Sequence, residues 1–234
     1  MSRLVPVPEP FIIRHQSDPE RFRKRRTFTG LIGAACMRPL RAIIDLCVRL
    51  RIHPNTLTLI GVIINVGAAW ALGFGKFMLA FFIMLVANIF DFIDGKVAHI
   101  AQLQSEFGAF WDSTLDRFSD LALFTGLVYL YSTLGRHDYV LITTLTLIFA
   151  TMTSYARARA ESLVEKCKVG FMERPERIVL VIIGALFNRM APALWVIAVL
   201  STITVIHRIV YTYEQTRARD AEVIPRRKPV LIGR

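Results

Sequence analysis

Six long apolar stretches follow one another after residue 55, and polar or helix-breaking residues separate them. A helical crossing of a bilayer requires about 20 mostly apolar residues. The pattern therefore predicts membrane spans at residues 56–74, 77–98, 107–131, 138–157, 177–189 and 192–212, of which the fifth is short. The predicted turns fall at Gly73, Gly75, Gly135, Asn188 and Pro192.

The chain outside these spans is polar and basic. Residues 30–52 place apolar side chains between regularly spaced charges, a pattern that predicts an amphipathic helix lying on the membrane surface. Residues 1–29 and 214–234 are predicted to be basic tails. The first apolar run long enough to insert comes late in the chain, so no secretory signal peptide is expected.

Composition agrees with an all-α integral membrane protein. Hydrophobic residues make up 54% of the 234 residues, whereas soluble domains usually contain about 45–50%. The three cysteines (Cys36, Cys47 and Cys167) are an odd number without metal-ligand spacing, which argues against a disulfide framework or a zinc site.

The basic residues are distributed unevenly, and the formal net charge is +11. With six spans, the connections near Lys76, Arg136 and Arg189 carry only these three of the 29 lysines and arginines. The positive-inside rule then predicts that both termini and the active site face the cytosol, and the expected location is the cell (inner or cytoplasmic) membrane. A basic tail held against an anionic membrane argues against nucleic-acid binding.

Four carboxylates interrupt the second and third apolar stretches. Asp91 and Asp94 are three residues apart, and Asp112 and Asp116 are four apart, so each pair shares one face of its helix. One Asp within a span costs about 2.5–3.5 kcal/mol, so four together call for a counter-charge, most simply a divalent cation. Carboxylate oxygens suit magnesium, manganese or calcium better than zinc.

Two alternatives to a metal site remain open at this stage. The carboxylates could be helix-end groups that reach water or pair with Lys96 and Arg117. They could also line the path of a cation transporter, although such sites favour the bilayer midplane and these aspartates lie near the predicted cytosolic ends.

The spacing of these residues resembles the signature of the CDP-alcohol phosphotransferase family, D-x-x-D-G-x-x-A-R-x8-G-x3-D-x3-D. Every fixed position matches except one, where His99 replaces the arginine of the family. The six-span layout and the surface helix extend the resemblance over residues 30–213.

The resemblance implies a role for each matching residue. Asp91, Asp94, Asp112 and Asp116 would hold two magnesium or manganese ions, with Asp116 also acting as general base. The ions would bind the diphosphate of CDP-diacylglycerol. The residues expected to contact this lipid substrate are Asp91, Gly95, Ala98, Gly108 and Asp112. A homodimer is expected, and CMP would be the leaving group.

The segments after the fourth span are rich in arginine. Residues 155–161 (YARARAE) and 173–177 (ERPER) resemble phosphatidylinositol phosphate synthases, whose acceptor is inositol 1-phosphate. Arginine binds phosphate through a fork of donors. The predicted acceptor-phosphate ligands are Arg157, Arg159, Arg174, Arg177 and Arg208. Glycerol 3-phosphate is the alternative acceptor, and the arginines could instead pair with nearby glutamates or anionic lipid.

Overall fold

The computed structural model describes residues 40–223, and the side chains of residues 40–221. This part of the chain is all α-helical, without a strand. Its helices are α1 (residues 40–49), α2 (Pro54–Gly73), α3 (Phe77–Ile100), α4 (Glu106–Thr133), α5 (His137–Glu161), α6 (Arg174–Leu186) and α7 (Met190–Val223). Each of the six predicted apolar segments coincides with a helix from α2 to α7.

Three of the predicted turns adopt left-handed backbone conformations. Gly75 and Gly135 have φ values of 69° and 66°, and Asn188 has a φ of 53°. This region is accessible to glycine and, among the other residues, most readily to asparagine and aspartate. The sequence signals for these breaks are therefore confirmed.

Four of the described helices, α2, α3, α5 and α7, are long and apolar enough to cross a membrane. Helix α4 has 28 residues, but its first half carries several charged side chains. Helix α6 has 13 residues, and at 1.5 Å per residue it is only about 20 Å long. Length and composition thus establish four candidate spans, two fewer than the predicted number.

Helix α1 corresponds to part of the predicted surface helix. Its Ile44 and Cys47 pack against Leu57 of α2 and against Ile93 and Val97 of α3. Residues 30–39 of the predicted helix, and the predicted tail 1–29, lie outside the described residues. At the other end, α7 continues through Val223, so part of the predicted tail 214–234 is helical.

Local sequence sets where the helices that carry the site begin. The Ser105 hydroxyl accepts a hydrogen bond from the Gly108 backbone N–H at 3.0 Å and so caps α4. At the start of α6 the Glu176 carboxylate accepts a hydrogen bond from the Glu173 backbone N–H at 3.1 Å, and Pro175 occupies the first turn. These caps fix the register of Asp112 on α4 and the position of the α6 N-terminus.

Small residues allow α2 and α4 to pack closely. Ala68 and Ala69 of α2 are buried in the same core cluster as Leu123 and Leu127 of α4. A Cβ atom placed on Gly126 of α4 would overlap the carbonyl oxygen of Ala69. Lipid provides no hydrophobic driving force between helices, so the van der Waals packing that this close approach allows is a main source of helix association.

Replacing Gly126 by alanine should therefore destabilise the protein by about 1–3 kcal/mol, because α2 and α4 must move apart. Gly67→Ala is the matched control, since nothing lies within 4 Å of a Cβ at that position. The control should leave stability unchanged or raise it, because alanine favours the helix. Thermal unfolding of both variants in detergent measures the difference, and equal midpoints would contradict the packing argument.

Candidate active site

The predicted aspartates come together where the end of α3 faces the beginning of α4. Asp91, Asp112 and Asp116 each offer a carboxylate oxygen, and these oxygens lie within 4.8 Å of one another. Asp94 is 5% exposed, and its Oδ2 has no hydrogen-bond partner among the described residues. The structure thus brings all four residues to one region, with Asp94 at its buried side.

This set of ligands fits hard divalent cations. It offers only carboxylate oxygens, the donors that magnesium and manganese prefer. A buried carboxylate oxygen without a hydrogen bond is costly unless a cation compensates it. The residues therefore match the predicted metal site in chemistry and in proximity.

Arg174, at the N-terminus of α6, contacts the same cluster. Its Nη1 lies 3.1 Å and 3.2 Å from the two carboxylate oxygens of Asp91 and 3.0 Å from Oδ1 of Asp116. Its Nε lies 3.7 Å from Oδ1 of Asp120. Arg174 was predicted only as an acceptor ligand, and the structure shows that it also pairs with three acidic side chains of the site.

Asp120 is the residue that the sequence analysis missed. It lies one helical turn beyond Asp116, continuing the spacing of Asp112 and Asp116 along α4. Its Oδ2 is 2.8 Å from Nη2 of Arg177, whose Nη1 donates to the Thr153 hydroxyl at 2.8 Å. The signal was the four-residue repeat itself, which continues past the end of the family signature.

Two further arginines extend the polar network away from the aspartates. Arg208 donates to the backbone carbonyls of Thr153 at 2.6 Å and Val169 at 2.9 Å, and to Glu173 at 3.1 Å. Arg157 pairs with Glu173 at 2.8 Å and with Glu161 at 3.1 Å. The expectation that nearby glutamates pair with these arginines is therefore confirmed for Glu161 and Glu173.

The five predicted acceptor arginines occupy different environments. Arg177 and Arg208 are each 2% exposed, and their bonds join α4, α5, α6 and α7. Arg159 is exposed and donates to the Ser162 hydroxyl at 3.2 Å, next to it on the surface. Among these five arginines, Arg174 alone forms ion pairs with the signature aspartates of the described structure.

A cavity of about 320 Å³ opens beside the aspartates, between α2, α3 and α4. Its lining includes the predicted lipid-substrate residues Gly95, Ala98, Gly108 and Asp112, together with Asp94. A second cavity, of about 660 Å³, is lined by Asp91, Gly95 and His99. A Cβ on Gly95 would meet nothing within 4 Å, so this position leaves open space at the helix backbone.

Lys96 and Arg117, the alternative partners of the carboxylates, make contacts elsewhere. Arg117 donates to the backbone carbonyl of Ser113 in its own helix. The Lys96 ammonium lies 5.4 Å from the centre of the Phe92 ring. Neither forms an ion pair with an aspartate in the part of the chain that the structure describes.

Comparison with known proteins identifies the family. The model of the CDP-alcohol phosphatidyltransferase family matches residues 51–213. The chain belongs to this family. It is accordingly a transferase and a multi-pass membrane protein, which excludes the cation-transporter alternative.

The matches to individual relatives extend over most of the length of each relative. An archaetidylinositol phosphate synthase of Pyrococcus horikoshii is 38% identical over 172 residues, 73% of this chain and 89% of the relative. A phosphatidylinositol phosphate synthase of Mycobacterium tuberculosis is 34% identical over 188 residues, 76% of this chain and 87% of the relative.

Solved structures of the Mycobacterium tuberculosis synthase share the fold. The crystal structure with CDP-DAG bound matches with a TM-score of 0.70 and 29% identity, covering 75% of this chain and 94% of that one. The crystal structure in complex with manganese and citrate also matches with a TM-score of 0.70 and 29% identity, over 74% and 88% of the two chains.

Asp112→Asn should weaken manganese binding by about tenfold or more, because it removes a charged ligand and keeps the side-chain shape. Asp112 suits this test because, unlike Asp91 and Asp116, it forms no ion pair with a described arginine. Electron paramagnetic resonance of free manganese measures the affinity of the substrate-free protein. Asp138→Asn, which removes an exposed aspartate beyond the far end of α4, is the control. Equal affinity of all three proteins would contradict a metal-binding role for Asp112.

Proposed function

We propose that this protein transfers a phosphatidyl group from CDP-diacylglycerol to inositol 1-phosphate, with release of CMP and formation of phosphatidylinositol phosphate. The observation that carries the proposal is the contact of Arg174 with Asp91 and Asp116. This contact supports the proposal because arginine can bind phosphate, and Arg174 lies next to two of the carboxylates proposed to bind the metal ions.

The names of the relatives support the acceptor. Archaetidylinositol phosphate synthases and phosphatidylinositol phosphate synthases differ in the lipid that they name but share the inositol phosphate. Glycerol 3-phosphate also needs cationic groups, so the arginines alone do not separate these two acceptors. The relatives therefore favour inositol phosphate over glycerol phosphate.

The proposed ligands of two magnesium or manganese ions are Asp91, Asp94, Asp112 and Asp116. When bound, these ions supply positive charge to the diphosphate and to the oxygens of an in-line displacement. The cavity lined by Gly95, Ala98 and Gly108 would receive the CDP moiety beside them. The absence of a side chain at Gly95, where a Cβ would meet nothing within 4 Å, leaves room for phosphate groups near the helix backbone.

Asp116 is the proposed general base. It would accept the proton from the acceptor hydroxyl as that oxygen attacks the phosphorus that carries diacylglycerol. The new oxygen–phosphorus bond forms as the bond to CMP breaks, and CMP leaves with the electron pair. Arg174, 3.0 Å from Asp116, would hold the acceptor phosphate within reach of this carboxylate.

The five predicted arginines remain the proposed acceptor set, and their environments suggest a division of roles. Arg157, Arg159 and Arg174 are exposed or partly exposed residues, so their side chains can meet a phosphate. Arg177 and Arg208 are buried and already bonded to protein groups. They would therefore support acceptor binding indirectly, by holding α6 and the loop that precedes it in place.

We further propose a complete membrane arrangement. Helices α4 and α6 would span the membrane together with the four long apolar helices, giving six spans within residues 30–213. A surface helix would occupy residues 30–52, and residues 1–29 and 214–234 would form basic tails. The distribution of lysine and arginine supports cytosolic termini and a cytosolic active site in the inner membrane. A homodimer is proposed on the family resemblance.

The decisive test supplies purified protein with CDP-diacylglycerol, magnesium and one acceptor at a time, and detects CMP and the lipid product by mass spectrometry. Inositol 1-phosphate should give phosphatidylinositol phosphate, and free inositol should react poorly because the arginines would lack their phosphate partner. Excess EDTA should abolish turnover, and magnesium or manganese should restore it. Preference for glycerol 3-phosphate, or equal rates with inositol and its phosphate, would contradict the proposed acceptor.

Arg174→Gln should raise the KM for inositol 1-phosphate roughly 10- to 150-fold, the loss expected for one charge-assisted contact of about 1.5–3 kcal/mol. The KM for CDP-diacylglycerol should change little, because that substrate lies against α3 and α4. Arg136→Gln is the control, since Arg136 pairs with the exposed Asp138 beyond the far end of α4. An unchanged acceptor KM in Arg174→Gln would remove Arg174 from the acceptor site.

A further inference from the structure

Asp120 lies outside the family signature, yet it is among the most deeply buried charged residues of the site. Its side chain is 8% exposed, and it faces Arg177, which is 2% exposed, across 2.8 Å. A buried carboxylate requires a strong compensating interaction to remain charged. Asp120 is therefore an integral part of the interior of the helix bundle.

Asp120 also shares Arg174 with the aspartate cluster. The Arg174 Nη1 faces Asp91 and Asp116, whereas its Nε faces Asp120 at 3.7 Å. The Asp120 Oδ1 and the Arg174 Nε are both buried, and neither has a hydrogen-bond partner among the described residues. One guanidinium is thus attracted from two sides, by signature carboxylates and by Asp120.

The two attractions have opposite consequences for the site. Asp91 and Asp116 are proposed cation ligands, so every interaction that they make with Arg174 competes with a divalent cation for the same oxygens. Asp120 lies one turn farther along α4 and attracts Arg174 away from those oxygens. A guanidinium has five donors in a fixed fork, so its Nε can stay next to the Asp120 carboxylate while other donors turn to a phosphate.

We propose that Asp120 is a positioning residue that holds Arg174 and Arg177 on the acceptor side of the aspartate cluster and limits the competition of Arg174 with the divalent cations. This inference rests on the proposed function in that the cluster binds cations and Arg174 binds the acceptor phosphate. In this proposal Asp120 acts through the two arginines and contacts neither the cations nor the substrates.

The test is a double-mutant cycle on Asp120 and Arg174, read out as the manganese affinity of the substrate-free protein. Asp120→Asn keeps the side-chain shape and should weaken manganese binding by about fivefold to tenfold, a coupling typical of contacting residues. Arg174→Gln should strengthen it. In the Arg174→Gln background, Asp120→Asn should change the affinity by less than about twofold, because the residue through which Asp120 acts is gone.

The cycle separates positioning from a plain charge effect. If Asp120 acted only through its own negative charge, Asp120→Asn would weaken binding by the same factor in both backgrounds, and the proposal would be wrong. An unchanged affinity in Asp120→Asn would also overturn it. Absence of manganese binding by the wild-type protein would overturn both this inference and the proposed metal site.

Steady-state kinetics supply the second readout. Asp120→Asn should raise the acceptor KM by about fivefold or more while the KM for CDP-diacylglycerol stays within about twofold, because only the arginines are displaced. Asp120→Glu, which keeps the charge, should recover part of the acceptor affinity. If the wild-type protein fails to use inositol 1-phosphate, the proposed acceptor falls, and the manganese cycle still decides the role of Asp120.

A folding defect would not prevent the test. Asp120→Asn leaves Arg177 as a buried cation with a weaker partner, which destabilises proteins. The double variant Asp120→Asn with Arg177→Met removes both buried charges and keeps a side chain of similar length. Its manganese affinity should fall as in Asp120→Asn, since Arg174 has lost the same attraction, and a wild-type affinity in this variant would contradict the proposal.

Discussion

The structure depends on one electrostatic constraint, the need to neutralise several carboxylates inside an apolar helix bundle. Each buried acid raises the free energy of the bundle unless a cation lies beside it. Arg174 and Arg177 supply part of this charge from within the chain, through ion pairs of 2.8–3.1 Å with the acidic side chains. The proposed divalent cations would supply the rest. The same carboxylates would therefore take part both in the ion pairs that stabilise the fold and in metal binding.

The N-termini of two helices lie at the candidate site and position its charged side chains. Helix α4 follows the Ser105 cap, and α6 follows the Glu173 cap and has Pro175 in its first turn. Backbone N–H groups at a helix N-terminus carry partial positive charge, which favours phosphate groups nearby. Asp112 lies in the first turns of α4 and Arg174 at the start of α6, so the proposed ligands for cations and for phosphate lie close together.

The polar network behind the site explains why so many arginines follow α5. Some of them hold the bundle together: Arg208 joins α7 to backbone carbonyls of Thr153 and Val169, and Arg177 joins α6 to α4 and α5. The same residue type serves structure in the interior and, in the proposed function, substrate binding at the surface. Sequence composition cannot distinguish these uses, because both require the same guanidinium group and differ only in what it contacts.

The sequence by itself determined the all-helical class, the approximate positions of the six helices α2 to α7, the breaks at Gly75, Gly135 and Asn188, and the four signature aspartates. Local periodicity, backbone preference and fixed spacing encode these features within short segments. The tertiary structure alone decided that Asp120 faces Arg174 and Arg177, that Arg174 reaches Asp91 and Asp116, and that Arg177 and Arg208 are buried. These facts depend on which helices pack side by side, since 83 residues separate Arg174 from Asp91 along the chain. No local pattern records that distance, because packing is decided by the sum of contacts across the whole bundle.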